Sequence, residues 1–114
     1  MSGSVSYLEI GAADAAASQR FFGGLFGWPF HPTQVPGEGW FQDAAMRIGL
    51  HGADPVPGIL VFFQVADMAL SVARVVELGG TAEAPGPAEE GFGTFCLCAD
   101  PQGVPFGLRQ LPAA

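Results

Sequence analysis

The 114 residues amount to one domain, long enough to bury a core. Charged residues are only 13% against 49% hydrophobic, and the formal charge of −7 is carried with a Lys plus Arg total of 4. So few cations cannot neutralise many phosphates, which speaks against nucleic acid and anionic membranes as partners. The longest apolar run, Gly58 to Phe63 with its neighbours, is far shorter than the roughly 18 residues of a spanning helix, and MSGSVS lacks the regions of a signal peptide, so a cytoplasmic protein is expected. Sparse charge on so apolar a chain predicts surface hidden in a homodimer.

Val5 to Ile10 reads as a strand, and Asp14 is placed to cap a helix whose first N–H groups need an acceptor. Ala15, Ser18, Phe22 and Phe26 form its stripe, and Gly23, Gly24 and Gly27 weaken and stop it. A short strand is expected to begin within Trp28 to Phe30; GWFQ and AMRIGLHG offer two more. The Gly/Pro-rich segment from Gly52 to Gly58 is a linker, so one module covers about 4–51 and a second about 59–111.

ILVFFQVAD opens the second module as a strand of β-branched and aromatic residues ending in the cap candidate Asp67. Ala69, Val72, Ala73 and Val76 then follow at the period of a one-faced helix, and Leu78-Gly79-Gly80 ends it. After the loop APGPAEEGFG come GTFCLCA and VPFGLRQ, joined by the turn Asp100-Pro101-Gln102-Gly103. Cys96 and Cys98 share one face of their strand and read as buried, inert thiols. Asp14/Asp67, Leu25/Leu78 and Gly27/Gly80 share one offset, and the common order of strand, cap, helix and strands favours an internal duplication.

Two βαβββ modules, with D-x₆-FF-x₂-LFGW running from Asp14 in the first and DPQG before the last strand, resemble the vicinal oxygen chelate superfamily of glyoxalase I, extradiol dioxygenases and bleomycin-resistance proteins. The resemblance covers nearly the whole chain and implies an α+β fold whose modules form a curved, cup-like mixed sheet. It also implies dimers in which each cup draws on two chains, and a divalent metal held by His, Glu or Gln. The usual ligand places fall at Tyr7, Gly49, Val61 and Gly107. These side chains make no ordinary divalent site, so no metal is assigned; a displaced metal site is the less favoured alternative.

Glu9 is the anomaly of the first strand, a carboxylate amid apolar residues. Period-two alternation puts it on the face of Tyr7, the cup side by the resemblance; the same alternation adds His51, Phe63 and Arg109, with Gly49 and Gly107 expected to widen the cavity. Trp40 is a candidate for the rim. Tyr7, Glu9, Trp40, His51, Phe63 and Arg109 thus form the candidate ligand-binding set, with Glu9 also the catalytic candidate.

Several alternatives stand beside these readings. Glu9 and Arg109 make either a site or a structural ion pair, and His51, at the edge of the linker, reads as solvated rather than catalytic; His31 reads as an ordinary loop residue. Glu89 and Glu90 are solvated loop charges or part of a closing lid. The sequence therefore points to a dimeric glyoxalase/bleomycin-resistance-like protein that binds a small, mostly apolar molecule without the family metal. The alternative is a lyase- or isomerase-type enzyme using Glu9 as acid or base.

Overall fold

The computed structural model describes residues 3–113. The elements follow the order β1 (Val5–Gly11), α1 (Ala15–Phe26), β2 (Phe30–Pro32), β3 (Gly39–Gln42), β4 (Arg47–His51), β5 (Gly58–Gln64), α2 (Met68–Glu77), β6 (Thr81–Ala82), β7 (Thr94–Ala99) and β8 (Pro105–Gln110). The chain divides into two compact units, one of Tyr7–Leu60 and one running from Val61 onward together with the residues up to Ser6. Gly3 and Ser4 belong with the latter because Gly3 N donates to Gln64 O and Gln64 N to Ser4 O, both at 2.7 Å.

In the unit of Tyr7–Leu60, β1 runs parallel to β4 while β3 pairs antiparallel with both β4 and β2. The turn from β1 into α1 works as the sequence predicts: the Asp14 carboxylate accepts from Ala17 N at 3.1 Å, and Gly27 closes the helix in the left-handed region at φ 69° with its N–H on Gly23 O. Ile10, Ala12, Ala15, Phe41, Ile48 and Leu50 are buried together on the helix side of this sheet, with Phe22 and Trp28 packed against them. Phe41 is 0% exposed. Alternation therefore sends Tyr7, Glu9, Trp40, Gly49 and His51 to the opposite face. His31, Trp40, Gly49 and Glu9 lie directly opposite one another in successive strands, so His31 belongs to a strand and not to a loop.

In the other unit β5 runs parallel to β8, which pairs antiparallel with β7, and β7 with the two-residue β6. The Asp67 carboxylate caps α2 through Leu70 N at 3.0 Å, and Gln110 Oε1 takes the Met68 N–H at 2.7 Å. Its core is Val65, Met68, Cys96, Cys98 and Leu108, joined by Val72, Val75 and Phe106. The buried stripe of α2 is thus Met68, Val72 and Val75; Ala69, Ala73 and Val76 face outward, because the longer methionine, not alanine, seats the first turn. The cysteine thiols stand 3.9 Å apart in that core, and burial pushes the Cys98 thiol up to about 12, which suits inert packing.

The largest departure from the sequence reading concerns β5. Phe63 pairs across from Leu108 and packs edge-on against Phe106, which places it on the α2 side. Phe62 is the residue opposite Gly107, and Gln64 is opposite Arg109. A register error of one residue exchanges the two faces of a strand, so Phe63 is removed from the face that Gly107 and Arg109 share.

Candidate functional site

Four side chains of the first unit form a continuous hydrogen-bonded chain on the face away from α1. The Tyr7 hydroxyl donates to Glu9 Oε1 at 2.9 Å, Glu9 Oε2 lies 2.6 Å from His51 Nδ1, and His51 Nε2 lies 2.9 Å from Asp54 Oδ2. Asp54 uses its other oxygen to accept from Val56 N at 2.9 Å. The side chains of Glu9, His51 and Asp54 are 24%, 40% and 25% exposed, held yet reachable by a solute. The sequence placed Tyr7, Glu9 and His51 on one face, and the structure brings these three together. Asp54 is the member it missed.

A neutral imidazole carries one N–H, so satisfying a carboxylate at each ring nitrogen takes the imidazolium. The His51 pKa is raised above its usual 6.5, chiefly by the hydrogen bond to Glu9; partial burial works the other way and Asp54 adds to the rise. The Asp54 carboxyl is lowered below 3.8, first by the Val56 N–H and then by His51. His51 is therefore not an ordinary solvated linker residue.

These shifts set a sign for stability. A raised His51 contributes fully below its unfolded value near 6.5, and the contribution is lost as pH climbs through the folded value; the lowered Asp54 contributes above about 3.8 and loses it as pH falls through its folded value. Exposure of the ring keeps the His51 effect small, under about 1 kcal/mol. Urea denaturation of wild type and His51→Asn is expected to show a gap at pH 6 that narrows steadily toward pH 9.

Two glycines make room for the array. A Cβ on Gly49 would collide with the Tyr7 hydroxyl and the Glu9 carboxylate, and one on Gly11 would collide with Asp54 and His51. The array lies flat across these two backbones, so Gly49 does not widen a cavity as its sequence suggests. In the second unit the space over Gly107 is likewise filled, there by the Phe62 ring, which is 4% exposed and edge-on to Phe95 at 5.2 Å.

The remaining candidates fall elsewhere. Trp40 is stacked with His31 at 4.0 Å between centroids, and the Arg47 guanidinium lies 4.5 Å from its ring centre. Arg109 donates from Nε to Phe92 O at 2.8 Å and from Nη1 to Ser6 O at 3.0 Å, so it ties the Glu89–Gly93 turn and the start of β1 to β8. A shallow groove of about 390 Å³ opens beside α1, bordered by Ile10, Ala12, Ala17, Phe22, Pro57 and Ile59 and by none of the candidates.

The donor set at the superfamily's metal places does not fit a divalent ion. Tyr7 is engaged with Glu9, Val61 is aliphatic, and the space over Gly49 and Gly107 is occupied by neighbouring side chains. Among the described residues no group of three or more His, Cys, Asp or Glu side chains is arranged to hold a metal.

The strand–helix–strands order occurs twice along the chain, once in β1 to β4 with α1 and once in β5 to β8 with α2. The glyoxalase-like domain family matches residues 7–109, and the chain belongs to it and, with it, to the vicinal oxygen chelate superfamily. A hypothetical protein from Bacillus halodurans C-125 is similar at 13% identity, covering 100% of this chain and 98% of its own, with a TM-score of 0.77. Methylmalonyl-CoA epimerase from Streptomyces coelicolor, in complex with 2-nitronate-propionyl-CoA, is similar at 16% identity over 99% of this chain and 100% of its own, TM-score 0.73. Homoprotocatechuate 2,3-dioxygenase from Brevibacterium fuscum, in complex with 3,4-dihydroxyphenylacetate, is similar at 18% identity over 98% of this chain and 37% of its own, TM-score 0.72. At such identities the likeness shows the α+β fold of paired βαβββ modules and a curved mixed sheet. No curated protein matches the sequence.

Proposed function

We propose that this protein binds a small, mostly apolar molecule bearing a cationic or hydrogen-bond-donating group, in a cup completed by a second copy of the chain, without the family metal. One observation carries the reading: Glu9 is a part-exposed carboxylate held at both oxygens, by Tyr7 and by His51. Two hydrogen bonds fix its direction, and a carboxylate so held keeps further acceptor capacity. Glu9, Asp54 and an imidazolium His51 together leave one net negative charge, which favours a donor or cation. Relatives of the same fold hold a CoA nitronate and a catechol acid, which supports small-molecule binding.

Native mass spectrometry and elemental analysis of protein purified without chelator test this reading. A dimer carrying an organic molecule is expected, with that molecule lost in Glu9→Gln and metal far below one per chain. Stoichiometric metal, or full retention of the molecule by Glu9→Gln, overturns it; a monomeric mass removes the second copy.

A further inference from the structure

We infer that Asp54 is a positioning residue of the Glu9 site: from the far side of the imidazole it fixes the His51 ring against Glu9 and fastens the segment 52–57 across the end of β1. The inference rests on the reading of Glu9 as the ligand's anchor. Asp54 touches His51 and Val56, not Glu9, so it acts through the ring.

The backbone is shaped to deliver this carboxylate. Ala53 sits at φ 54°, the one non-glycine residue with positive φ among those described, in the left-handed region that is unfavourable for an L-residue. Such a conformation persists only where its surroundings over-determine it. Here they do: Ala53 N donates to Ala13 O at 3.1 Å, Asp54 N to Ala12 O at 3.0 Å, and Gly52 N to Glu38 Oε2 at 2.8 Å. With the chain bent in this way Oδ2 arrives beside Nε2, over a Gly11 whose missing Cβ leaves the space. An Asp at the start of an ordinary turn would need neither the strain at Ala53 nor the bare backbone of Gly11.

The charged and titratable groups around the ring are few. Tyr7 and Glu9 face it from β1 and Asp54 from the 52–57 segment; Glu38 reaches in beside Gly52, and Arg47 shares the same face of β4 with its guanidinium over Trp40. With acceptors on opposite sides, the ring is pinned in one orientation with an N–H toward Glu9. Remove Asp54 and Nε2 loses its acceptor, the ring turns, and Glu9 keeps only the Tyr7 hydroxyl as a fixed partner. An orienting carboxylate behind an imidazole is a common device for setting tautomer and direction.

Long-range ¹H–¹⁵N spectra of the full chain test this, in wild type and Asp54→Asn, with His31 as the internal reference. Asparagine keeps an oxygen for Val56 N, so the turn is retained. In wild type both His51 nitrogens are expected to be protonated below the His51 midpoint, with a far-downfield Nδ1 proton. In Asp54→Asn the His51 midpoint is expected to fall and that proton to broaden away. An Asp54 that acts only as a nearby charge would lower the His51 midpoint yet leave the downfield Nδ1 proton in place, and that result overturns the inference. Should the variant not fold, the wild-type Asp54 carboxyl carbon decides: a step in its shift at the His51 midpoint supports the pairing, and its absence refutes it. None of these readouts needs a bound ligand, so failure of the ligand reading in mass spectrometry is separately visible.

Discussion

Gly107→Ala is expected to lower the stability of this chain by about 2–3 kcal/mol, whereas Gly49→Ala costs under about 1 kcal/mol and instead takes the Tyr7–Glu9 hydrogen bond apart. Both glycines sit in the middle of the last strand of their βαβββ repeat, and both lie under a neighbour's side chain. What differs is the neighbour. Over Gly107 it is the body of the Phe62 ring, 4% exposed and wedged against Phe95, so an added methyl must displace a rigid, packed group. Over Gly49 it is one carboxylate oxygen of Glu9, a part-exposed side chain that can swing aside, and the hydroxyl tip of Tyr7, a 7% exposed ring that need yield only at its end. Urea denaturation measures the first effect. The second appears as loss of the His51 Nδ1 proton signal, and of any molecule held as proposed at Glu9, with the unfolding midpoint nearly unchanged. Equal destabilisation by the two alanines would show that the Tyr7–Glu9–His51 array is mainly packing.

The features legible in the sequence were those with a local cause. Asp14 and Asp67 announce helix starts because an unpaired N–H must find an acceptor within a few residues, and the Asp100–Gly103 turn is written in its own four residues. The pairing of Tyr7 with Glu9 followed from alternation along one strand. Three things were not legible, each for its own reason. The face of β5 depends on a one-residue choice, although Phe62 stands as far before Asp67 as Glu9 does before Asp14, and that offset would have chosen correctly. A glycine looks the same whether it opens a space or admits a neighbour, so Gly49 and Gly107 read as cavity when they are contact. Asp54 lies inside a Gly/Pro segment with the composition of a linker, and nothing in the residue type of Ala53 marks the left-handed turn that swings Asp54 onto His51.

Phe41→Ala is expected to remove about 3–5 kcal/mol, the usual cost of deleting a fully buried aromatic ring. Phe41 is 0% exposed and meets Phe30 at 5.0 Å, Trp28 at 5.7 Å and Phe22 at 6.4 Å between ring centroids, so it joins α1, the segment after it and the β2–β3 pair. Its strand neighbour Trp40 points the other way, into the row that contains Gly49 and Glu9. The ring is thus the backing of the strand whose opposite face bears the site, and a void behind β3 weakens the platform that keeps Gly49 under the Tyr7–Glu9 pair. Phe21, on α1 and 62% exposed, supplies the contrast, since its alanine variant should change stability by no more than about 0.5 kcal/mol. Thermal unfolding reads the difference as a fall of about 10 °C or more for Phe41→Ala and little movement for Phe21→Ala. If Phe21→Ala proves equally costly, that face of α1 is buried in solution.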